Sequence, residues 1–190
     1  NIDKYNKGNA TVKNGADDQK SDKTDNLENN IEDNERKMVD VIIPTYRPAK
    51  EFGELLHRLE KQEYRPNRIL VMNTGKEYWN SEWENYPLLE VHHLDQKDFD
   101  HGGTRKRAAE LSTADIMVFM TQDALPADRK MIGNLVRAVS RNSGTGAAYA
   151  RQLPNADCRF LERYTRSFNY PEQSSVKSLS DVETYGIKTY

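Results

Sequence analysis

The chain has 190 residues and a formal net charge of −2, with 36% hydrophobic and 31% charged residues, which predicts one domain with a buried core. Beyond residue 37 the sequence carries 21 acidic and 21 basic side chains, so no basic field argues for a nucleic-acid partner. No apolar run is long enough to span a bilayer, no signal-peptide pattern opens the chain, and the single cysteine, Cys158, has no partner for an internal disulfide. These features predict a cytoplasmic protein.

Residues 1–37 differ in composition from the rest of the chain. Only seven of them are Ala, Val, Ile, Leu or Tyr, and the others are mostly Asn, Asp, Lys and Gly. Such a segment buries too little apolar surface to offset the entropy cost of ordering it. We therefore predict a disordered polar arm or linker over 1–37, with a short helix near NLENNIEDNERKM as the alternative, and a folded domain over 38–190.

From Val39 onwards, short apolar runs alternate with amphipathic segments. Strands are expected in the β-branched and aliphatic runs, and helices where apolar residues recur at helical spacing. In chain order the sequence predicts a strand in VDVIIPTY, a helix in AKEFGELLHRLEKQ, strands in NRILVMNTG and YPLLEVHHL, a helix from the glycine turn HGGTR to Leu111, a strand in DIMVFMTQDA, a helix in MIGNLVRAVSRN, a strand in GTGAAYARQLP and an amphipathic helix in RFLERYTRSFNYPEQS. This alternation predicts an α/β domain with a mostly parallel sheet flanked by helices.

Three polar segments end predicted strands of this sheet, namely PTY at 44–46, NTG at 73–75 and TQD at 121–123. Ligands of open parallel sheets bind outside the C-terminal ends of the strands, so these segments should line one crevice. The helix that begins at HGGTR should point its N-terminus to the same place, where its free N–H groups and Arg105 favour a phosphate. The sequence therefore predicts a nucleotide site.

Asp123 is the one carboxylate among these strand ends. The strand before it, Met117 to Met120, is expected to be buried in the sheet and to fix the position of the acid. Asp123 could instead cap the following turn, a common role for aspartate. A hard divalent cation, however, takes one or two protein carboxylates and completes its shell with water and phosphate oxygens. Asp123 is therefore a candidate ligand of a hard divalent cation.

Other reactive residues point less clearly to a site. His92 and His93 alternate on a strand, so only one faces a given site, and no further His or Cys has zinc-ligand spacing. Cys158 is interpreted as an inert small side chain, because nothing in the sequence supplies its base. Most of the arginine-rich segment RFLERYTRSFNYPEQS fits an amphipathic helix, although Arg166 and the FNYP turn are also candidates for lining a donor or acceptor pocket.

Six strings resemble the family 2 glycosyltransferases, and more closely their bacterial rhamnosyltransferase-like branch. They are VIIPTY, HGGTRK, VFMTQDALP, ARQLP, FNYP and GIKT, in this order, and they cover nearly all of Val39 to Tyr190. The resemblance implies a GT-A fold, which is a Rossmann-like, mostly parallel α/β domain, and implies that this domain continues beyond Tyr190. It also implies a nucleotide-diphosphate sugar donor, with dTDP-L-rhamnose favoured, and inversion at the anomeric carbon.

The same resemblance assigns site residues position by position. Thr121, Gln122 and Asp123 stand where most relatives carry an Asp-X-Asp motif, which makes Asp123 the contact to Mg²⁺ or Mn²⁺ and puts Thr121 in place of the first acid. Lys106 stands where this branch usually has Asn. Nucleotide contacts are implied for Pro44, Thr45, Tyr46, Asn73, Arg105, Thr121 and Gln122, and contacts to the donor phosphates or sugar for His101, Gly102, Gly103 and Arg151.

The implied reaction is transfer of the sugar to a hydroxyl of a glycan or lipid-linked saccharide in surface polysaccharide synthesis, which allows peripheral association with the inner face of the cell membrane. Family members use a downstream Asp as general base, and the aspartates in the last part of the chain, Asp157 and Asp181, lack the expected surroundings. The base is therefore expected beyond Tyr190, and this chain is expected to transfer weakly or not at all.

Two alternatives stay open. One is a non-catalytic nucleotide-sugar-binding or assembly module, and the other is a sugar nucleotidyltransferase, which PTYRPAKEFG disfavours because it lacks a glycine-rich basic loop.

Overall fold

The structure is a computed structural model that describes residues 36–154 and 158–186. Its main compact unit begins at Met38. The predicted arm over 1–37 lies outside the described residues except for its last two positions, and so does most of the alternative short helix. Among the described residues, no helix combines the length and the apolar character that crossing a bilayer requires.

Strands and helices alternate along the described residues. The first strand forms in a run of β-branched residues, and the first helix follows where four large apolar residues recur at helical spacing and become buried. The strands are β1 (Val39–Tyr46), β2 (Arg68–Thr74), β3 (Leu89–Leu94) and β4 (Ile116–Phe119), and the helices are α1 (Glu51–Glu60), α2 (His101–Leu111), α3 (Met131–Val139), α4 (Phe160–Asn169) and α5 (Val182–Tyr185).

The four strands form one sheet in which all neighbours are parallel. The order is β3-β2-β1-β4, so β1 and β2 are central and β4 lies at an edge. The register places Ile42 of β1 opposite Leu70 of β2 and Phe119 of β4. The prediction of a parallel α/β sheet flanked by helices is confirmed.

Side chains of β1 enter two different cores, because successive residues of a strand point to opposite faces of the sheet. Helix α2 covers one face, where Ile42 packs in a small core with Leu70, Met72, Leu94 and Ala108. Helices α1 and α3 cover the other face. The larger core there contains Val39, Val41, Ile43, Phe52, Leu55, Leu56, Leu59, Ile69, Val71, Trp83, Val118, Ile132 and Val136.

Two expectations about the edge of the sheet were wrong. No strand forms over GTGAAYARQLP, whose residues 145–154 adopt no regular structure. Glycines and alanines make up much of this segment and give it little side-chain surface to bury. The run before Asp123 is also not uniformly buried, since Val118 is buried but Met117 and Phe119 are 41% and 46% exposed. These two residues lie on the same face of the sheet as Ile42, but the small core does not extend over β4.

Candidate functional site

The C-terminal ends of the strands meet at one end of the sheet, because all neighbouring strands are parallel. Tyr46 ends β1, Thr74 ends β2, and the turn that holds Asp123 follows β4. Helix α2 comes after β3, so its N-terminus begins on the same side of the sheet. The fold therefore brings together the PTY, NTG, TQD and HGGTR segments, as the sequence predicted.

Gln122 joins the end of β1 to the turn after β4. Its side-chain oxygen accepts a hydrogen bond from the backbone N–H of Tyr46 at 2.8 Å, and its Nε2 donates to the backbone oxygen of Tyr46 at 3.2 Å. Because both amide atoms are engaged with the backbone, the side chain of Gln122 holds the position of Tyr46. Gln122 therefore has a positioning role in this geometry, and its direct contact with a nucleotide stays a prediction.

The rest of the turn after β4 is anchored to the end of α1. Arg58 donates to the backbone oxygen of Pro126 at 2.9 Å. The buried Gln62 donates to the backbone oxygen of Asp128 at 2.8 Å and accepts from the N–H of Ile132 at 3.1 Å. Asp123 therefore lies between two anchored points, Gln122 on one side and Pro126 on the other, and its backbone is held by the scaffold.

The Asp123 carboxylate is exposed and forms no hydrogen bond or ion pair with the described residues. Its chemistry fits a hard divalent cation, which prefers carboxylate oxygens. Within the described ranges, no three His, Cys, Asp or Glu side chains are grouped to hold a metal ion. A cation at Asp123 would therefore take part of its ligand shell from water and phosphate oxygens.

Asn73 is fully buried and its side-chain amide is engaged by neighbouring groups. Its oxygen accepts from the Thr45 hydroxyl at 2.9 Å, and its Nδ2 lies 3.2 Å from the backbone oxygen of Gly75 and 3.0 Å from Nδ1 of His93. Thr45 is also buried. In this geometry Asn73 and Thr45 tie the ends of β1 and β2 together. The contacts to a base or ribose that the resemblance implied for them stay a prediction.

His93 completes this group of hydrogen bonds. Because Nδ2 of Asn73 faces a carbonyl oxygen, it is the donor to His93, and Nδ1 of His93 must accept and stay unprotonated. Burial lowers the pKa of His93, and the nearby Lys76 and His92 lower it further against the opposing charge of Glu84. The ring also packs edge-on against Trp79 at 5.9 Å. Of the two histidines that alternate on β3, only His93 faces this site, since His92 pairs with Glu90.

The neutral state of His93 predicts a pH dependence of folding stability. A histidine with a lowered folded pKa binds its proton more readily in the unfolded chain, so the free energy of unfolding should decrease as the pH falls below the ordinary histidine value of about 6.5. We expect His93→Gln, which keeps an acceptor, to flatten this dependence between pH 7.5 and 5.5 in urea denaturation. If the free energy of unfolding changes equally with pH in the wild-type chain and the variant, His93 does not cause the pH dependence.

The N-terminus of α2 is partly occupied by the chain itself. The Asp100 side chain caps the helix by accepting a hydrogen bond from the N–H of Gly103. The expectation that the first N–H groups are free for a phosphate is therefore corrected for Gly103, whose N–H a ligand would have to share with a carboxylate. His101 and Gly102 are exposed, and Arg105 donates to the backbone oxygen of His101 at 2.9 Å. This bond holds the positively charged guanidinium of Arg105 beside the first turn of α2.

The remaining predicted residues lie outside this group of contacts. Arg151 is exposed and lies 3.8 Å from Glu172, and Lys106 pairs with Glu110 along the surface of α2. Arg166 lines a cavity of about 530 Å³ and donates to Gln152 at 2.9 Å. Asp157 is outside the described residues, as are the last three residues of the GIKT string. The carboxylate of Asp181 bonds to the N–H and hydroxyl of Ser178 in a local cap.

Comparison with known families identifies the chain. The family described as Glycosyl transferase family 2 matches residues 40–189, which is most of the sequence. The chain belongs to glycosyltransferase family 2. The parallel sheet of this family 2 chain, with helices on both faces, agrees with the GT-A fold that the resemblance implied.

Two curated relatives share most of this family 2 domain. The O-antigen chain rhamnosyltransferase RfbN of Salmonella typhimurium is 38% identical over 158 residues, which are 80% of this chain and 48% of the relative. The O-antigen chain rhamnosyltransferase WbaN of Salmonella anatum is 28% identical over 151 residues, or 78% of this chain and 48% of the relative. The chain thus spans about half the length of the curated relatives it matches.

A solved structure is also similar to the family 2 chain. The mannosyltransferase PcManGT from Pyrobaculum calidifontis, determined in complex with GDP-Man and Mn²⁺, is 25% identical to it with a TM-score of 0.45. The similarity covers 54% of this chain and 32% of that protein.

Sequence reasoning missed two residues at the C-terminal end of the sheet of this family 2 chain. Arg47 follows Tyr46 directly, and its guanidinium lies over the ring of Tyr78 at 4.3 Å from the centroid. Tyr78 ends a short 3-10 helix (Lys76–Tyr78) that follows β2. The string PTYR placed Arg47 beside the predicted site, but nothing in the sequence showed that a residue 31 positions later would contact it.

Proposed function

We propose that this chain is the donor-binding part of an inverting glycosyltransferase that uses dTDP-L-rhamnose and transfers rhamnose to a hydroxyl of a glycan or lipid-linked saccharide. Membership of glycosyltransferase family 2 and two relatives named as O-antigen chain rhamnosyltransferases support this proposal. We place the reaction in surface polysaccharide synthesis at the cytoplasmic side of the membrane, with Mg²⁺ or Mn²⁺ at Asp123.

The observation that carries the proposal is the double hydrogen bond between Gln122 and the backbone of Tyr46. It fixes an exposed aromatic ring on one side of a turn and an unpaired carboxylate on the other. A nucleotide-diphosphate has the matching parts, since its base stacks on aromatic rings and its phosphates share a cation with a carboxylate.

Each residue then has a proposed task in donor binding. Tyr46 stacks on the base, while Thr45 and Asn73 hold the strand end that carries it. Arg105 and the first turn of α2 face the phosphates, where positive charge favours the diphosphate as it leaves. A bound divalent cation at Asp123 would supply electrostatic stabilisation of the charge on that leaving group.

The transfer step needs a proton acceptor in addition to the donor site. As the acceptor oxygen bonds to the anomeric carbon, the bond from that carbon to the phosphate oxygen breaks, and the acceptor hydroxyl loses its proton to a base. Asp181 is engaged in its own cap, so we assign this role to none of the described residues. We therefore propose that this chain binds the donor and transfers poorly, whereas a chain of the relatives' length turns over.

Calorimetric titration tests the donor site directly. The chain is titrated with dTDP-rhamnose, UDP-glucose and dTDP, each with and without Mn²⁺. We expect dTDP-rhamnose and dTDP to bind in the presence of Mn²⁺ and to bind more weakly without it, with UDP-glucose weaker than dTDP-rhamnose. If no nucleotide binds under either condition, the proposal is wrong. If the nucleotides bind equally well without Mn²⁺, Asp123 does not act through a metal ion, but the assignment of a nucleotide site remains supported.

A further inference from the structure

Tyr78 is an exposed aromatic ring that the fold holds in place. It is 40% exposed and lies between Gly75 and Trp79 in the chain. Gly75 has a φ of 81°, and a Cβ at that position would come within 2.9 Å of the Tyr78 ring, so any other residue would displace the ring. Trp79 is packed between Phe52 at 5.8 Å and Trp83 at 5.0 Å. These contacts turn Tyr78 outward beside the end of β1.

Arg47 occupies the face of this ring. Its guanidinium carbon lies 4.3 Å from the centroid of Tyr78 and 5.1 Å from that of Tyr46, and its Nη2 donates to the Tyr78 hydroxyl at 2.7 Å. The two tyrosine rings are 6.2 Å apart and meet at an interplanar angle of 78°. A planar cation thus lies where two aromatic rings form a corner. Among the described residues, the side chains of the two tyrosines make no other hydrogen bond or ring contact.

The backbone of Arg47 is strained in this position. Its φ of 46° is the one positive value among the described residues other than glycine. Left-handed conformations are costly for residues with a Cβ and persist where the surroundings impose them, often at functional sites. Here Gln122 fixes the backbone of the preceding residue, Tyr46. With this left-handed backbone, the Arg47 side chain lies across the exposed face of Tyr78.

We propose that Tyr78 is a second stacking surface for the base of the donor nucleotide, and that Arg47 covers this surface until the base displaces it. This inference rests on the proposed function, because it assigns recognition of the base within the same site. A flat heterocycle and a planar guanidinium compete for the same aromatic face. Tyr78 is thus a specificity residue for the nucleotide, and Arg47 is an internal competitor that opposes weakly stacking ligands.

Three variants separate the parts of this proposal, with dTDP and Mg²⁺ as the probe in calorimetric titration of the 190-residue chain. Loss of base stacking predicts that Tyr78→Ala weakens dTDP binding about tenfold or more. Tyr78→Phe keeps the ring and removes the acceptor of Arg47, so it should bind at least as tightly as the wild type. Arg47→Ala keeps a Cβ at the strained position and removes the competitor, so it should tighten binding by about two- to fivefold.

Proton NMR of bound dTDP gives a second measurement that a purely structural role would not affect. The base protons should shift upfield on binding to the wild-type chain, and Tyr78→Ala should lose part of that shift while Tyr78→Phe keeps it. Unchanged affinity and shifts in Tyr78→Ala would overturn the stacking surface, and weaker binding of dTDP to Arg47→Ala would overturn the competition. If the wild-type chain binds no nucleotide, the proposed function fails as well. If it binds and the variants match it, only this inference fails.

Discussion

Asp123→Ala should abolish the metal dependence of nucleotide binding. The variant removes the protein carboxylate that we assign to the cation, and in the described structure no three His, Cys, Asp or Glu side chains are grouped to hold a metal ion. Loss of a supporting residue around a metal costs about 10- to 100-fold in affinity, and loss of the ligand itself should reach the upper end of that range. In the presence of Mn²⁺, we expect dTDP-rhamnose to bind Asp123→Ala about 100-fold more weakly than it binds the wild-type chain. Without Mn²⁺, the variant and the wild-type chain should bind dTDP-rhamnose with the same affinity.

Asp115→Ala is the matched control for this experiment. Asp115 immediately precedes β4, whereas Asp123 follows it, so the two exposed acids lie at opposite ends of the same strand. Asp115 accepts a hydrogen bond from the N–H of Met38 at 2.8 Å and is far in the sheet from the C-terminal strand ends. Its removal changes the net charge equally. Equal loss of binding in the two variants would contradict a specific metal contact and would indicate a general effect of charge.

Asp40→Ala should destabilise the domain more than any surface substitution. Asp40 is fully buried in β1 and accepts hydrogen bonds from Arg68 at 2.9 Å, Ser112 at 2.7 Å and Asn67 at 3.2 Å. Burial alone would raise the pKa of Asp40, but these three donors outweigh it and the pKa is lowered. Breaking a buried ion pair by removing one partner costs about 3–5 kcal/mol. We expect a loss near 3 kcal/mol in urea denaturation, because Arg68 keeps Glu90 as a partner.

Glu90→Ala provides the comparison, because it removes the other acid that pairs with Arg68. The Glu90 side chain is 40% exposed, and exposed ion pairs contribute about 0–1 kcal/mol. The free energy of unfolding should therefore fall much less than in Asp40→Ala. Similar losses in both variants would mean that burial of Asp40 does not set its contribution.

Acid should also weaken the domain as the pH falls through the lowered pKa of Asp40, because the contribution of its charged form is then lost.

The central strands could be predicted because their sequence signal is local. The runs VDVIIPTY and NRILVMNTG are buried on both faces, and each contains a continuous apolar stretch, VIIP and ILVM, that makes the pattern clear. The edge strand β4 gave a similar apolar run, but its burial depends on which elements cover it. Sequence could not show that Met117 and Phe119 face solvent, nor that GTGAAYARQLP lacks a partner strand among the described residues.

The grouping of the candidate site's segments could also be predicted, but the contacts of their side chains could not. Parallel strands place their C-terminal ends together, which grouped Tyr46, Asn73 and Asp123 correctly at one end of the sheet. The direction of each side chain depends on long-range contacts. Asn73 and Gln122 have polar side chains suited to a ligand, yet the structure shows them bonded to the protein. Arg47 lies over a ring 31 residues away, a contact that no local pattern encodes.

A crystal structure of the chain with dTDP-rhamnose and Mn²⁺ tests the central claim most directly. The account predicts an anomalous peak for manganese beside the carboxylate of Asp123, with the diphosphate on the ion and the base against Tyr46. It also predicts that the guanidinium of Arg47 has left the face of Tyr78. A nucleotide bound elsewhere on the domain, or a manganese ion that does not contact Asp123, would contradict the account.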